Sequence, residues 1–110
     1  MPKLPGQAVR GSKTGRPVMV LLDALGKRWT LRLLWELRAN GPGTFRQLQA
    51  RCEDVSPTSL NSRLKELREL KLIELTPTGF TLTPHGVSLS KLLSPLDKWA
   101  TQWARSVAND

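Results

Sequence analysis

Apolar residues recur along this chain first at helical spacing and then at strand spacing. Between residues 17 and about 70, apolar side chains, mostly Leu with Val, Trp, Phe and Cys, recur every three or four residues in four successive segments, the spacing of amphipathic helices. Two short runs, 73–75 and 80–82, then alternate around Thr76-Pro77-Thr78-Gly79, which predicts a β-hairpin. Helical spacing returns from Thr83-Pro84 to Val107. The predicted order is therefore four helices, a hairpin and a last helix.

Capping residues define where the central helices begin. Thr44 and Gln47 have the spacing of a capping box, and Ser56-Pro57 supplies an N-cap and a first-turn proline to a helix predicted over 57–70. Pro95 lies inside the last helical pattern, where it is expected to kink or interrupt the helix.

Two helices joined by a short link and followed by a two-stranded ribbon are typical of the winged helix-turn-helix. The fold class predicted is mainly α with a small β-hairpin (α+β), in one domain over residues 17–107. Residues 1–16 are rich in Pro and Gly and contain no acid, which predicts a flexible basic arm. Such an arm either adds phosphate or minor-groove contacts or is only a disordered end.

The predicted helix over 57–70 has one apolar and one polar face. Leu60, Leu64 and Leu67 cluster within about 60° of one another on a helical projection. The other side begins with short hydroxyl and amide side chains, which can approach base edges closely in a DNA major groove. The side chains predicted to contact DNA, from this helix and the one before it, are Thr44, Arg46, Ser56, Thr58, Ser59, Asn61, Ser62, Arg63 and Lys65.

Charge narrows the choice of partner. Seventeen Lys and Arg against nine Asp and Glu give a formal charge of +8 in 110 residues, a bias toward polyanions such as double-stranded DNA.

Neither Cys52 nor His85 belongs to a metal-binding cluster, and no phosphate loop or nucleophile elbow is present, so no enzyme, metal or cofactor is expected. No apolar run approaches the roughly 20 residues of a membrane span, and no signal peptide core is present. A cytoplasmic protein without membrane contact is expected.

Several motifs together resemble the HxlR-type transcriptional regulators, winged-helix relatives of the MarR group. They are Gly26-Lys27-Arg28-Trp29 with one residue more than the family pattern, Phe45, Ser56-Pro57 before a Leu-x-x-Arg-Leu-x-x-Leu helix, and Leu82-Thr83-Pro84-His85-Gly86. The resemblance covers about residues 17–107. It implies a homodimer joined through the first and last helices.

Two positions depart from that family pattern. The turn Thr76-Pro77-Thr78-Gly79 is short and carries no Lys or Arg, which makes the basic arm the alternative source of minor-groove contact. Arg16-Pro17 stands where many members have Cys-Pro, so thiol sensing is not carried over to this chain.

The terminal helices hold more apolar surface than a small domain can bury alone. Residues expected at a dimer interface are Val18, Leu22, Leu92, Leu96, Trp99 and Trp103. Two-fold symmetry would then imply a palindromic operator. Two alternatives stay open from the residues alone: a winged-helix module that binds protein instead of DNA, and a regulator whose small-molecule pocket lies at the dimer interface.

Overall fold

The computed structural model describes residues 2–53 and 55–109. It contains the helices α1 (Pro17–Leu25), α2 (Thr30–Asn40), α3 (Phe45–Arg51), α4 (Pro57–Glu69) and α5 (Pro84–Asn109), with strands β1 (Ile73–Thr76) and β2 (Gly79–Leu82) between α4 and α5. The predicted order and the winged helix-turn-helix fold are thus confirmed, with α4 ending one residue before its predicted limit.

The hairpin is antiparallel and is anchored to the segment before α3. Ile73 pairs with Leu82 and Thr76 with Gly79, which leaves a two-residue turn. Gly43 and Phe80 exchange two backbone hydrogen bonds of 3.0 and 2.8 Å, so the start of α3 is fixed to β2. Gly79 has a φ of 125°, and a Cβ there would lie 2.6 Å from the Gly43 carbonyl carbon. Only glycine fits this crossing.

One apolar core joins α2, α3, α4, β1 and α5. The three leucines predicted to face inward from α4, Leu60, Leu64 and Leu67, are at most 2% exposed. They pack with apolar side chains of the other elements: Leu33, Leu34, Leu37, Leu48, Cys52, Val55, Ile73 and Leu93. Burial at about 1.5–3 kcal/mol for each large apolar side chain holds α4 rigidly against the rest of the domain.

Both predicted N-caps are formed. The Thr44 hydroxyl accepts a hydrogen bond from the Gln47 amide at 3.2 Å, and the Gln47 side chain accepts one from the Thr44 amide at 2.9 Å. The Ser56 hydroxyl accepts from the Ser59 amide at 3.0 Å. These bonds fix the first turns of α3 and α4.

Helix α5 is continuous through Pro95, so the first of the two expected effects, a kink, stays a prediction and the second, an interruption, is wrong. Proline removes the hydrogen bond to the carbonyl four residues earlier, here that of Lys91. Both residues are exposed, so water can bond that carbonyl. The helix therefore loses one internal bond without burying an unsatisfied group.

Residues 2–16 form a series of turns beside α1. Val9 and Ser12 exchange backbone hydrogen bonds of 2.9 and 3.0 Å, and the Gly6 amide donates to the Gly15 carbonyl at 2.9 Å. The four cations of the segment, Lys3, Arg10, Lys13 and Arg16, are exposed. The flexibility predicted for this arm concerns its motion and stays a prediction.

Helix α4 ends in a Schellman motif. The Leu72 amide donates to the Leu67 carbonyl and the Lys71 amide to the Arg68 carbonyl, both at 3.0 Å. Lys71 occupies the left-handed position of the motif with a φ of 62°, where glycine is the usual residue.

Lys71→Gly should therefore stabilise the protein by about 0.5–1 kcal/mol. Glycine avoids the steric cost of a Cβ atom in the left-handed conformation, but it loses more backbone entropy on folding, and the expected gain is the difference. Chemical denaturation would measure this difference. Lys91→Gly, within regular helix, is the matched control and should destabilise by a similar amount. A destabilised Lys71→Gly protein would mean that the lysine side chain makes a compensating interaction.

The joint between the hairpin and α5 explains the Leu-Thr-Pro-x-Gly motif. The Thr83 hydroxyl donates to the Lys71 carbonyl at 2.6 Å and accepts from the Gly86 amide at 3.0 Å. Gly86 lies so close to the preceding loop that a Cβ there would be 2.0 Å from the Leu72 carbonyl oxygen. Thr83 and Gly86 thus hold the start of α5 against the end of α4.

Gly86→Ala should destabilise the domain by about 1–3 kcal/mol, because a backbone carbonyl has to move to admit the methyl group. Thermal unfolding would report the loss as a lower Tm. Ser88→Ala, at an exposed position two residues further along the same helix, should leave the Tm nearly unchanged. Equal Tm values for the Gly86→Ala and Ser88→Ala variants would show that the contact relaxes without cost.

Candidate DNA-binding surface

The polar face of α4 is presented to solvent along the first half of the helix. Thr58, Asn61 and Lys65 are exposed, with Ser59 and Ser62 half-buried beside them. Among the side-chain hydrogen bonds of the described residues, none uses the side chain of any of these five. Their donors and acceptors are therefore available to an external ligand.

The hydroxyl groups of the two N-cap residues can each still donate one hydrogen bond to a ligand. Thr44 and Ser56 are exposed, and each hydroxyl already accepts a bond from its own helix. A hydroxyl that accepts one bond can still donate its hydrogen, for example to a phosphate oxygen. Arg46 lies exposed in the first turn of α3, so both motif helices begin with groups suited to contacting a phosphate backbone.

Arg63 is held by the protein itself. Its guanidinium donates to Glu66 at 3.0 Å, and the other Glu66 oxygen lies 3.3 Å from Lys27 Nζ, in the link between α1 and α2. The Arg63 side chain is 21% exposed. Glu66 thus connects α4 to this link, and Arg63 holds the Glu66 carboxylate from one turn earlier on the same helix. The contact between Glu66 and Lys27 is one that spacing within one helix cannot reveal.

The tip of the hairpin is uncharged. The Thr76 hydroxyl donates to the Gly79 carbonyl at 2.9 Å and accepts from the Thr78 amide at 3.3 Å, which closes the turn on itself. Two cations lie instead at the base of the hairpin, where Arg68 and Lys71 line a polar groove together with Glu74 and His85. Sequence spacing does not reveal this groove, because it forms only where the end of α4, the loop after it, β1 and the start of α5 come together.

A second surface, on α1 and α5, is apolar and uncovered. All six predicted interface residues, Val18, Leu22, Leu92, Leu96, Trp99 and Trp103, are 53–66% exposed. The Trp99 and Trp103 rings stack with their centroids 6.0 Å apart. Residues 101–109 of α5 are exposed throughout, and the radius of gyration is 15.0 Å, against about 13 Å for a compact domain of this length. Helix α5 thus extends beyond the domain.

Cys52 is fully buried, and burial raises the pKa of its thiol while nearby Arg32 opposes that rise. A thiol in this setting favours its protonated, unreactive form.

No group of metal-ligating side chains occurs within residues 2–53 and 55–109. The helices over the same residues include none long and apolar enough to cross a membrane.

The fold and the exposed face of α4 define a winged helix-turn-helix DNA-binding protein. The family model described as HxlR-like helix-turn-helix matches residues 24–108. The HTH-type transcriptional regulators YvaP and YodB of Bacillus subtilis are 34% and 31% identical, with 74% and 72% of this chain and 82% and 76% of those proteins covered.

Solved structures agree with this assignment. Quinone-bound YodB superposes with a TM-score of 0.73 at 29% identity, covering 78% of this chain and 97% of YodB. A MarR-family regulator from Enterococcus faecalis V583 also gives 0.73, at 25% identity, with 94% and 99% covered. The chain belongs to the HxlR family and is a DNA-binding transcriptional regulator.

Proposed function

We propose that the protein binds a palindromic operator as a homodimer, with one α4 of each protomer in the major groove. The observation that carries this proposal is the pairing of two free surfaces on one rigid domain. The polar face of α4 offers Thr58, Asn61 and Lys65, and the apolar face of α5 is open to a second copy. Two-fold symmetry would place the two recognition helices about one DNA turn apart.

Within each half-site, the α4 residues have different roles. Asn61 can pair with an adenine edge through its amide, whereas Lys65 and Arg46 contribute charge toward phosphates. Thr44 and Ser56 would position the two helix starts on the backbone. Arg63 is bound to Glu66, which favours a structural role over the phosphate contact predicted for it.

Dimerisation would use the stripe on α5 together with Val18 and Leu22 of α1. Single exposed apolar residues are common, but five large ones on α5, from Leu92 to Val107, form a continuous stripe. Trp is also enriched at interfaces and dominates their energetics. Residues 101–109 of α5 pack on no other element among residues 2–53 and 55–109, which favours a second copy as their partner.

A small-molecule effector is part of the same proposal, supported by the structure of the related YodB with bound quinone. The regulator is expected to have no catalytic activity of its own and to act in the cytoplasm, where its DNA would be. Minor-groove contact is assigned to the basic N-terminal arm, because the hairpin tip carries no cation.

Fluorescence anisotropy of a labelled random duplex across a salt series tests DNA binding. We expect micromolar affinity with a steep loss as salt rises, and weaker binding by Lys65→Ala and Arg46→Ala. Arg105→Ala, at an exposed site on α5 whose side chain bonds no described residue, controls for the loss of any one cation. Absence of binding at about 50 mM salt would contradict the proposal and favour a protein-docking winged helix.

A further inference from the structure

A cavity of about 330 Å³ lies between the N-terminal arm, α1 and the end of α4. This volume falls at the lower end of the range for small-molecule sites. The walls are almost wholly aliphatic: Leu4 and Pro5 from the arm, four side chains of α1, and Leu70 and Leu72 after α4. The face of α1 toward the cavity carries Val20, Leu21 and Ala24, and Val18 and Leu22 lie on its exposed side.

Glu69 is the acidic residue in this wall. Its Oε2 atom is buried and has no hydrogen-bond partner within the part of the chain that the structure describes. The ion pairs found among those residues join Lys27, Arg32 and Arg63 to other glutamates and leave Glu69 out. A buried carboxylate oxygen without a donor is unfavourable, so a ligand that supplies a donor would be stabilised here.

The surroundings of Glu69 also select the charge of that ligand. Lys71 lines the same cavity, and Lys65 and Arg68 lie with Glu69 around the adjoining groove. Because these three cations surround the Glu69 carboxylate, they would repel a ligand that carries an ammonium group. The aliphatic walls disfavour any net charge, because a charged ligand would lose its hydration there. An uncharged molecule with one hydroxyl or N–H donor satisfies both conditions.

We infer that this cavity is a binding site for a small, uncharged, apolar molecule whose single donor bonds the Glu69 carboxylate. The inference deepens the effector proposal above and rests on it for its regulatory meaning. The site joins α1, which carries part of the proposed dimer surface, to the last turn of the recognition helix. A ligand seated there contacts both elements at once.

The test uses two probes of one shape, 2-naphthol and 2-methoxynaphthalene, which lacks the donor. Isothermal titration of the full chain should show saturable binding of 2-naphthol, about tenfold or more tighter than the ether, as expected for a hydrogen bond to a charged group. Shifts of the backbone amide signals of Ala24, Leu70 and Leu72 would locate the probe. Equal affinity for both probes, or no saturable binding of 2-naphthol, would overturn the inference.

Two variants separate the parts of the site. Ala24→Phe fills the cavity and should abolish binding of both probes, while Ala39→Phe, exposed at the end of α2, should bind as the parent does. Glu69→Gln leaves the cavity open and should reduce the preference for 2-naphthol over the ether. An unchanged preference in Glu69→Gln, or undiminished binding by Ala24→Phe, contradicts the assignment.

DNA affinity of the same proteins is measured separately. Because the titrations contain no DNA, failure of probe binding in a protein that still binds DNA removes this inference and leaves the proposed function intact. Loss of DNA binding by the parent chain removes the proposed function, whatever the probes show.

Discussion

Trp103→Arg should convert the proposed dimer to a monomer and lower operator affinity by at least about a hundredfold. The side chain is 55% exposed in the protomer, in a part of α5 that extends beyond the domain. In a two-fold dimer joined along this stripe, each arginine would be buried in an apolar interface, at a cost of several kcal/mol. The loss of avidity between two linked half-sites accounts for the change in DNA binding.

Sedimentation equilibrium would give the oligomeric state, and anisotropy with an operator duplex would give the affinity. Thr101→Arg is the matched control, since it adds the same charge on the opposite side of the same helix. The far-UV circular dichroism of both variants should match that of the parent chain, because Trp103 contributes nothing to the domain core. A dimeric Trp103→Arg protein would exclude the α5 stripe as the interface.

Asn61→Ala should sharply reduce sequence preference while leaving binding to random DNA nearly unchanged. A bidentate amide contact contributes about 1–3 kcal/mol of discrimination per base, and the dimer would lose two such contacts. The expected loss for the operator is therefore about 2–6 kcal/mol. Asn61 is exposed and bonds no described side chain, so the stability of the fold should not change.

Lys65→Ala is the informative comparison for Asn61→Ala. It should weaken operator and random duplexes alike and lower the salt slope by about two, one phosphate contact per protomer. Competition between the two duplexes, read by anisotropy, gives both quantities. If Asn61→Ala weakened both duplexes equally, α4 would contact the backbone there and not a base edge.

Features fixed by short-range contacts were predictable from the sequence. Thr44 and Ser56 cap helices through amides three residues away, so their spacing was sufficient to place the starts of α3 and α4. The inward stripe of α4 followed from helical periodicity alone. The exposed stripe on α5 was predictable because its apolar surface exceeded what one small domain can bury.

Features fixed by long-range contacts were not predictable. The partner of Lys27 is Glu66, 39 residues away, and the neighbour that requires glycine at position 86 is the Leu72 carbonyl. Trp29 adopts a φ of 77°, a left-handed conformation that no propensity assigns to tryptophan. The cavity beside Glu69 likewise forms only when three separate segments come together.

The Thr83 joint has a consequence for how far apart the two halves of an operator can lie. Because Thr83 bonds both the Lys71 carbonyl and the Gly86 amide, the end of the recognition helix and the start of α5 form one rigid unit. One base pair inserted between the halves moves the second by about 3.4 Å and turns it by about 34–36° around the DNA axis. We expect such an insertion to reduce the affinity of the protein for the operator to that for a single half-site. An insertion of ten base pairs restores the rotation but not the distance, so it should not restore the affinity.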